Sequence, residues 1–277
     1  MATVTSSDRP GLAGWRSYLR DLWSRREFAW FLASGNLKAR NASTALGLAW
    51  WVLNPLIMAG VYFLVFGFIF NARQGEEQYL AYLLSGMFAF NFMTMSMTGG
   101  ANSILANSKL LINVRFPRLI LPISGLAEAL YGFLSSLLIF YVIVWPVDGV
   151  HPTMWVFLLP VVVVLQTVFN LGLAALTARL AVPFRDINNL IPHLNRLWMY
   201  LSPIIWPMSF VADKPEWFQW ALRLNPMYSV IVCYRTALMG REFEPEMLIV
   251  AALWAVVMGV VGVFAFVRYE GNMVRHL

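Results

Sequence analysis

Charged residues are scarce in this sequence. They make up 12% of its 277 residues, whereas hydrophobic residues make up 60%, and a soluble globular domain carries about 25% charged residues. The 12 Trp, 20 Phe and 14 Met would leave a soluble fold with large exposed apolar patches. The composition therefore excludes ordinary soluble domains and predicts a protein that crosses a membrane several times.

Cysteine and histidine are nearly absent. The single cysteine, Cys233, cannot form an internal disulfide bond or supply a cysteine-based metal site. The three histidines stand at positions 151, 193 and 276, with no metal-ligand spacing between them. We therefore expect no metal site, and a fold held together by helix packing.

Motifs for nucleotide binding and catalysis are also missing. The sequence has no G-x-x-x-x-G-K-[ST] loop to hold a nucleotide phosphate, and neither a His-Glu-x-x-His nor a Gly-x-Ser-x-Gly motif. We therefore expect no catalytic residue and no cofactor in this chain. Any ATP that drives its function is hydrolysed by another subunit.

Long apolar runs, by contrast, are abundant. A membrane-spanning helix needs about 20 mostly apolar residues. Six such runs occur, and the fifth, at 188–207, is the weakest, because it contains His193, Arg196 and three prolines. The sequence predicts an all-α polytopic membrane protein, with a tail at 1–43, a six-span domain at 44–267 and a tail at 268–277. The six runs are 44–70, 79–106, 119–145, 154–182, 188–207 and 247–267.

Basic residues concentrate on one side of the predicted spans. The segments 1–43, 107–118, 179–187 and 268–277 hold 14 basic and 5 acidic residues, and the segments on the other side hold 5 basic and 8 acidic residues. Loops rich in Lys and Arg stay in the cytoplasm, so both termini are predicted to be cytoplasmic. The basic residues flank apolar spans and form no separate polar domain, which argues against nucleic-acid binding.

Three segments outside the spans have patterns of their own. Residues 12–31 place Trp and Leu on one side of a helix and Arg on the other, which predicts an amphipathic helix in the membrane interface. The loop 107–117 is too apolar for a solvated connector, and we expect a short helix there. Residues 208–246 are aromatic but broken by prolines, which predicts two short external re-entrant helices, at 216–224 and 228–239.

Two ionisable side chains fall inside the predicted spans. A lone charge at the centre of a spanning helix costs about 2.5–3.5 kcal/mol on insertion scales. Glu128 and Arg196 each lie about ten residues beyond a cytoplasmic loop, so they lie at similar depth. We predict a salt bridge between them; alternatively, Arg196 faces a channel and binds a lipid diphosphate.

Several short motifs follow one another in a characteristic order. They are Leu37-Lys38-Ala39-Arg40, Leu46-Gly47-Leu48-Ala49-Trp50, Leu53-Asn54-Pro55, Val65-Phe66-Gly67, Arg115-Phe116-Pro117-Arg118, Phe184-Arg185-Asp186-Ile187, Leu201-Ser202-Pro203-Ile204-Ile205 and Leu224-Asn225-Pro226 with Arg235 downstream. Together they resemble the transmembrane subunits of ABC-2 type exporters, specifically the branch that exports polysaccharides such as O-antigen and teichoic acid. The resemblance covers nearly the whole chain, and the departures at Asn41 and Trp206 are modest.

The resemblance implies a homodimer of this chain in the bacterial cytoplasmic membrane, in contact with membrane lipids. Two copies of an ABC ATP-binding subunit, which carry ATP and Mg²⁺, would cap it on the cytoplasmic side. The dimer would form a continuous channel, lined mainly by the first and fifth spans, for a polysaccharide linked to a polyprenyl diphosphate lipid. The Arg-rich composition is similar to actinobacterial members, which implies a cell-wall galactan as the polymer.

The resemblance also assigns roles to residues. Residues 115–118 are similar to the family's coupling region, and we expect the surrounding loop to contact the ATPase through Leu111, Val114, Arg115, Phe116 and Arg118. The alternative is that the loop only packs under the bundle. Aromatic rings suit a sliding sugar chain, because the CH-rich faces of sugars stack on them without strong directional hydrogen bonds. The expected channel-lining residues are Trp50, Trp51, Tyr62, Phe66, Trp198, Tyr200 and Trp206.

Three other functions stay open at this point. An ABC-2 exporter of a small hydrophobic drug or lipid would have a closed pocket in place of a continuous path. A membrane-embedded transferase acting on polyprenyl-linked sugars would need catalytic carboxylates, and Asp186 is the only acidic residue in the cytoplasmic loops between spans. A secondary transporter would bind coupling ions at mid-membrane polar residues.

Overall fold

In a computed structural model of the chain, the described residues are 12–41, 45–69, 77–114, 116–211, 213–271 and 273. The predicted contact Arg115 lies outside them, as do the side chain of Trp51 and the outer parts of both tails, 1–11 and 274–277. The described residues are largely helical and contain no strand, as the sequence predicts. The α-helices are α1 (Leu12–Ser24), α2 (Arg26–Asn41), α3 (Trp50–Tyr62), α4 (Tyr79–Ala106), α5 (Ser108–Asn113), α6 (Ile120–Asp148), α7 (Leu159–Ala181), α8 (Ile187–Leu201), α9 (Glu216–Arg223), α10 (Pro226–Met239) and α11 (Pro245–Glu270).

Four of these helical segments are long and apolar enough to cross a membrane. They are α4, α6, α11 and the segment Met154–Ala181, in which a 3₁₀ turn leads into α7. They coincide with the second, third, fourth and sixth predicted spans. Length and hydropathy suffice to locate these helices, because each is a continuous apolar run.

The first and fifth predicted spans are shorter as α-helices. α3 has 13 residues and continues as a π-helix over Phe63–Ile69. α8 has 15 residues and ends at Leu201, whereas the predicted span continues to position 207. Ser202 is extended, with φ −102° and ψ 137°, because the residue before a proline disfavours the helical conformation. Within the described ranges, four segments are thus long and apolar enough to cross a membrane, and the first and fifth predicted spans form shorter α-helices.

Small residues bring the long helices close together. A Cβ atom at Gly172 of α7 would overlap the backbone carbonyl of Met258 on α11, and one at Gly262 of α11 would overlap the backbone of Gly172. Gly100 of α4 lies equally close to the backbone of Ala174 on α7. Such close backbone contacts are typical of helix packing in membranes, where small residues lie at the interfaces.

The two short helices predicted after the fifth span are present. α9 covers Glu216–Arg223 and α10 covers Pro226–Met239, close to the predicted ranges 216–224 and 228–239. α10 is buried along almost its whole length and belongs to the main core. The end of the bundle that carries α9 and α10 is called the α10 end below, and the opposite end is called the α5 end.

The α5 end has its own hydrophobic cluster. The ends of α4, α7 and α11 meet there with α5, and α1 and α2 pack against the outside. The amphipathic helix predicted at 12–31 is divided into two helices, because the helix is interrupted at Arg25. The second helix, α2, continues beyond the predicted range to Asn41. α2 packs along α6, while Trp23 and Trp30 stay exposed, as expected of a helix in the membrane interface.

Candidate functional site

The chain is not helical between the end of α8 and Trp206, and its backbone carbonyls are bound by side chains. The Tyr79 hydroxyl donates to the Ile205 carbonyl at 2.7 Å. The Tyr82 hydroxyl donates to the carbonyls of Pro203 at 3.1 Å and Trp206 at 3.0 Å. In a membrane, unwound backbone is tolerated only where protein or water satisfies its polar groups. These bonds allow α8 to end inside the bundle. The non-helical residues 202–206 are called the unwound segment below.

Arg235 of α10 adds a charge to this capping arrangement. Its side chain is 6% exposed, and its Nη2 donates to the Pro203 carbonyl at 2.8 Å. The guanidinium group lies 3.3 Å from the centroid of the Tyr82 ring, which is a cation–π arrangement. Arg235 therefore joins α10, α4 and the unwound segment.

Asn225, just before α10, ties the end of α8 to the same region. Its Nδ2 donates to the Ser202 hydroxyl at 2.9 Å, and its Oδ1 accepts from the Met227 backbone N–H at 3.0 Å and from the Trp198 ring N–H at 2.9 Å. An Asn before a Pro at the first helical position is a helix-start signal. Trp198 is thereby held by the protein itself, which suits an anchor better than a sliding contact.

Four of the predicted aromatic residues group where α3 meets α8; we call them the aromatic face. The hydroxyl groups of Tyr62 and Tyr200 lie close enough to interact. The rings of Tyr62 and Phe66 are 6.0 Å apart, and the Trp206 ring N–H donates to the Tyr200 carbonyl at 3.2 Å. Tyr200 is 49% exposed, so the face is open at this position.

Trp50 lies at the other end of α3. It is partly exposed, and the twelve residues to Tyr62 correspond to roughly 18 Å along a helix. The first turn of α3 and the aromatic face therefore lie at different depths. That these rings line a channel stays a prediction.

The predicted ion pair between Glu128 and Arg196 does not form within one chain. An ion pair within 4 Å joins Arg25 and Asp21, and none joins the described side chains of Glu128 and Arg196. Glu128 lines a cavity between α2, α4 and α6. Arg196 is exposed on α8, close enough to Tyr62 to act on it electrostatically. The sequence places the two charges at similar depth, but the helices turn them towards different surroundings.

The predicted coupling residues are mostly used inside the chain. Leu111 is 7% exposed and belongs to the cluster at the α5 end. Phe116 packs edge-to-face on Phe28 of α2 with ring centroids 5.4 Å apart. Val114 is 45% exposed. Of these three side chains Val114 alone is exposed, because the cluster at the α5 end buries Leu111 and α2 covers Phe116. Contact with a partner stays a prediction.

Arg118 takes part in a partly buried polar cluster at the α5 end. Its backbone N–H donates to Glu270 Oε1 at 2.7 Å, and its guanidinium group donates to the Glu270 carbonyl. The Tyr18 hydroxyl of α1 donates to Glu270 Oε2 at 2.8 Å. Burial and the adjacent Glu270 carboxylate raise the pKa of Tyr18. The cluster joins α1, the loop before α6 and the end of α11, and sequence reasoning missed it.

Comparison with known proteins adds the family. The model of the family described as "ABC-2 type transporter" matches residues 28–239. An O-antigen export system permease protein RfbA from Myxococcus xanthus is 32% identical over 86% of this chain and 92% of its own length. Two proteins of the same name from Klebsiella pneumoniae are 27% and 25% identical, each over 85% of this chain and 89% of their own length.

Proposed function

Because this chain belongs to the ABC-2 type transporter family, we propose that it is the membrane permease of an exporter for a polysaccharide linked to a polyprenyl diphosphate lipid. The observation that carries this proposal is its similarity, over nearly the full length, to permeases named for O-antigen export. The polymer is a cell-surface polysaccharide, and a cell-wall galactan is the specific candidate. The chain works in the bacterial cytoplasmic membrane with its α5 end and both termini in the cytoplasm, as its basic residues indicate.

The exporter is a homodimer of this chain with two ATP-binding subunits. α8 is roughly 22 Å long, shorter than the hydrocarbon core of about 30 Å, and its exposed face is apolar at Leu190, Leu194 and Leu197. α3 exposes Ile57, Met58 and Val61. A spanning helix that is shorter than the hydrocarbon core can be accommodated by oligomerisation, so the contact with the second copy is placed at these faces of α8 and α3.

The aromatic face supports a polysaccharide as the cargo. Rings bind the apolar faces of sugars through contacts of modest strength, so a moving chain can exchange one ring for the next. Tyr62 and Tyr200 also carry hydroxyl groups that can bond to sugar hydroxyls. The face and Trp50 then form steps along the path between the paired α3 and α8 helices.

The α5 end receives the ATP-binding subunits, which bring ATP and Mg²⁺. Val114 is exposed beside the buried Leu111 and the partly buried Phe116, so a force applied to α5 is transmitted to α2 and the core. Arg118 extends the connection to α1 and α11 through Glu270. The loop is thus built to pass movement into the bundle.

The first prediction tests the aromatic face. Replacing Tyr62 and Tyr200 together by Ala should reduce export of the polymer several-fold in proteoliposomes, while dimer assembly and basal ATP hydrolysis stay close to wild type. Tyr131→Ala removes an exposed tyrosine from α6, outside the face, and is the matched control. Wild-type polymer export by the double variant, with loss of transport of a small amphiphile, would favour the small-substrate exporter.

A further inference from the structure

A cavity of about 570 Å³ lies between α2, α4 and α6, near the α5 end of the bundle. It is distinct from the aromatic face, since neither α3 nor α8 contributes to its lining. Its volume falls within the range of ordinary small-molecule sites, about 300–1,000 Å³. The lining on α4 extends from Met95 to Asn107, roughly 18 Å along the helix. The cavity therefore penetrates well into the bundle.

The polar lining consists of groups that both donate and accept hydrogen bonds. Three are amides, Asn36, Asn102 and Asn107, and three are hydroxyls, Thr98, Ser103 and Ser124. The side chains of Asn36, Thr98 and Asn102 form no hydrogen bond within the described part of the chain. Each amide can donate two hydrogen bonds and accept two. The cavity thus offers a ligand both hydrogen-bond donors and hydrogen-bond acceptors.

The groups that line the cavity fit some classes of ligand better than others. The described lining contains no Lys or Arg and includes the Glu128 carboxyl, so it offers a diphosphate group no cationic partner. An ammonium head group has donors only, and it would leave the donating amide groups of Asn36 and Asn102 without acceptors. A sugar hydroxyl both donates and accepts. Apolar walls at Met95, Leu121 and Ala129 match the CH faces of a sugar ring.

We propose that this cavity binds one or two neutral sugar residues of the exported glycan at the cytoplasmic end of the permease. The inference rests on the proposed function, and it adds a docking site for the glycan before it enters the path between α3 and α8. The lipid diphosphate stays outside the cavity. Asn36, Thr98 and Asn102 supply the hydrogen bonds, and Met95 contacts the ring.

Protection of a cysteine from alkylation tests the binding directly. The native Cys233 is 3% exposed and gives a low background, so Asn102→Cys reports on the cavity and Ser17→Cys, on the outer surface of α1, is the control. The probe is the water-soluble glycan released by mild acid from the lipid-linked fraction of the source bacterium, added to the purified complex in detergent. Slower N-ethylmaleimide labelling of Asn102→Cys alone supports the proposal. Equal labelling with and without glycan overturns it, and protection by the glycan-free lipid phosphate alone also overturns it.

Removal of one hydrogen-bonding group tests the same site without a reporter cysteine. Thr98→Val keeps the side-chain volume and should raise the glycan concentration needed for half-maximal export roughly fivefold, the effect of one ordinary hydrogen bond. Thr167→Val makes the same change on α7, away from the cavity, and should leave this concentration unchanged. Wild-type behaviour of Thr98→Val, in a preparation that exports polymer, overturns the cavity while the proposed function stands. If the wild type exports no polymer, the proposed function fails, and the labelling result still decides whether the cavity binds sugar.

Discussion

At the scale of single residues, Arg235 illustrates how this membrane protein uses a buried charge. A charged group in a low-dielectric interior is costly unless other groups bond to it. Arg235 donates to the Pro203 and Tyr82 carbonyls and lies over the Tyr82 ring. The unwound segment supplies carbonyls that need donors, and the guanidinium supplies donors that need acceptors. These hydrogen bonds therefore lower the free-energy cost of burying both the guanidinium group and the carbonyl groups.

Replacement of this arginine should destabilise the fold. Arg235→Met removes the guanidinium bond to the Pro203 carbonyl, which keeps only the bond from the Tyr82 hydroxyl, and the loss of a hydrogen bond to a charged group costs about 1.5–3 kcal/mol. We expect a lower Tm for the purified protein in detergent. Arg268→Met, an exposed arginine near the end of α11, should leave the Tm within experimental error. Equal Tm values for the two variants would show that Arg235 does not stabilise the unwound segment.

Tyr18 is the second residue whose environment makes a prediction. Its raised pKa means that folding favours the protonated phenol. The stabilisation is complete below the ordinary pKa of 10.0 and is lost as the pH rises above it, because a phenolate beside the Glu270 carboxylate is repelled. Hydrogen exchange in α1 should accelerate relative to α7 as the pH rises above about 10, after correction for the intrinsic rate.

Tyr18→Phe provides the control for that measurement. It removes both the titrating group and the hydrogen bond to Glu270, so α1 should exchange faster than wild type at neutral pH. Its exchange, corrected in the same way, should show no further step as the pH rises. A step of wild-type size in Tyr18→Phe would assign the alkaline transition to another group.

At the scale of helices, close backbone packing between α7 and α11 is the strongest constraint. The structure leaves no space for a side chain at Gly172 or Gly262. Gly172→Ala should therefore force the two helices apart, lower the Tm and reduce the yield of folded protein. Gly35→Ala in α2, where nothing lies within 4 Å of the added Cβ, should be neutral or stabilise by up to about 1 kcal/mol. A normal Tm for Gly172→Ala would mean that α7 and α11 are less tightly packed.

The long helices could be predicted from sequence because hydropathy and length are local properties. The end of α8 could be placed only in part. Pro203 signals that a helix cannot continue easily, but the unwound segment is buried because Tyr79 and Tyr82 of a distant helix bind its carbonyls. Contacts over more than one hundred residues leave no local pattern.

The candidate sites show the same limit. The aromatic residues near α3 and α8 were identifiable, but the pairing of Tyr62 with Tyr200 depends on how the two helices meet. Leu111 and Phe116 have the composition of a docking surface, yet α2 or the core covers them. Asn225 carries a local helix-start signal, although its contact with Trp198 required the fold.

At the scale of the whole molecule, the two ends of the chain have different tasks. The α10 end holds the unwound segment with buried hydrogen bonds. The α5 end gathers α1, α2, α5 and α11 into one cluster, where a partner can act on several helices at once. The polar cavity opens between the two, beside α2. In the proposed exporter, an ATP-binding subunit at the α5 end would therefore act on helices that also line the cavity.

ATP-dependent polymer transport in a reconstituted system tests this account most directly. The permease and its ATP-binding subunit are placed in proteoliposomes with the lipid-linked polysaccharide, and glycan that becomes inaccessible to an external glycosidase is measured. The account predicts that ATP produces protected, lipid-linked glycan, and that a partner subunit unable to hydrolyse ATP produces none. ATP hydrolysis by the wild-type complex without any protected glycan, together with transport of a small amphiphile, would contradict the central claim.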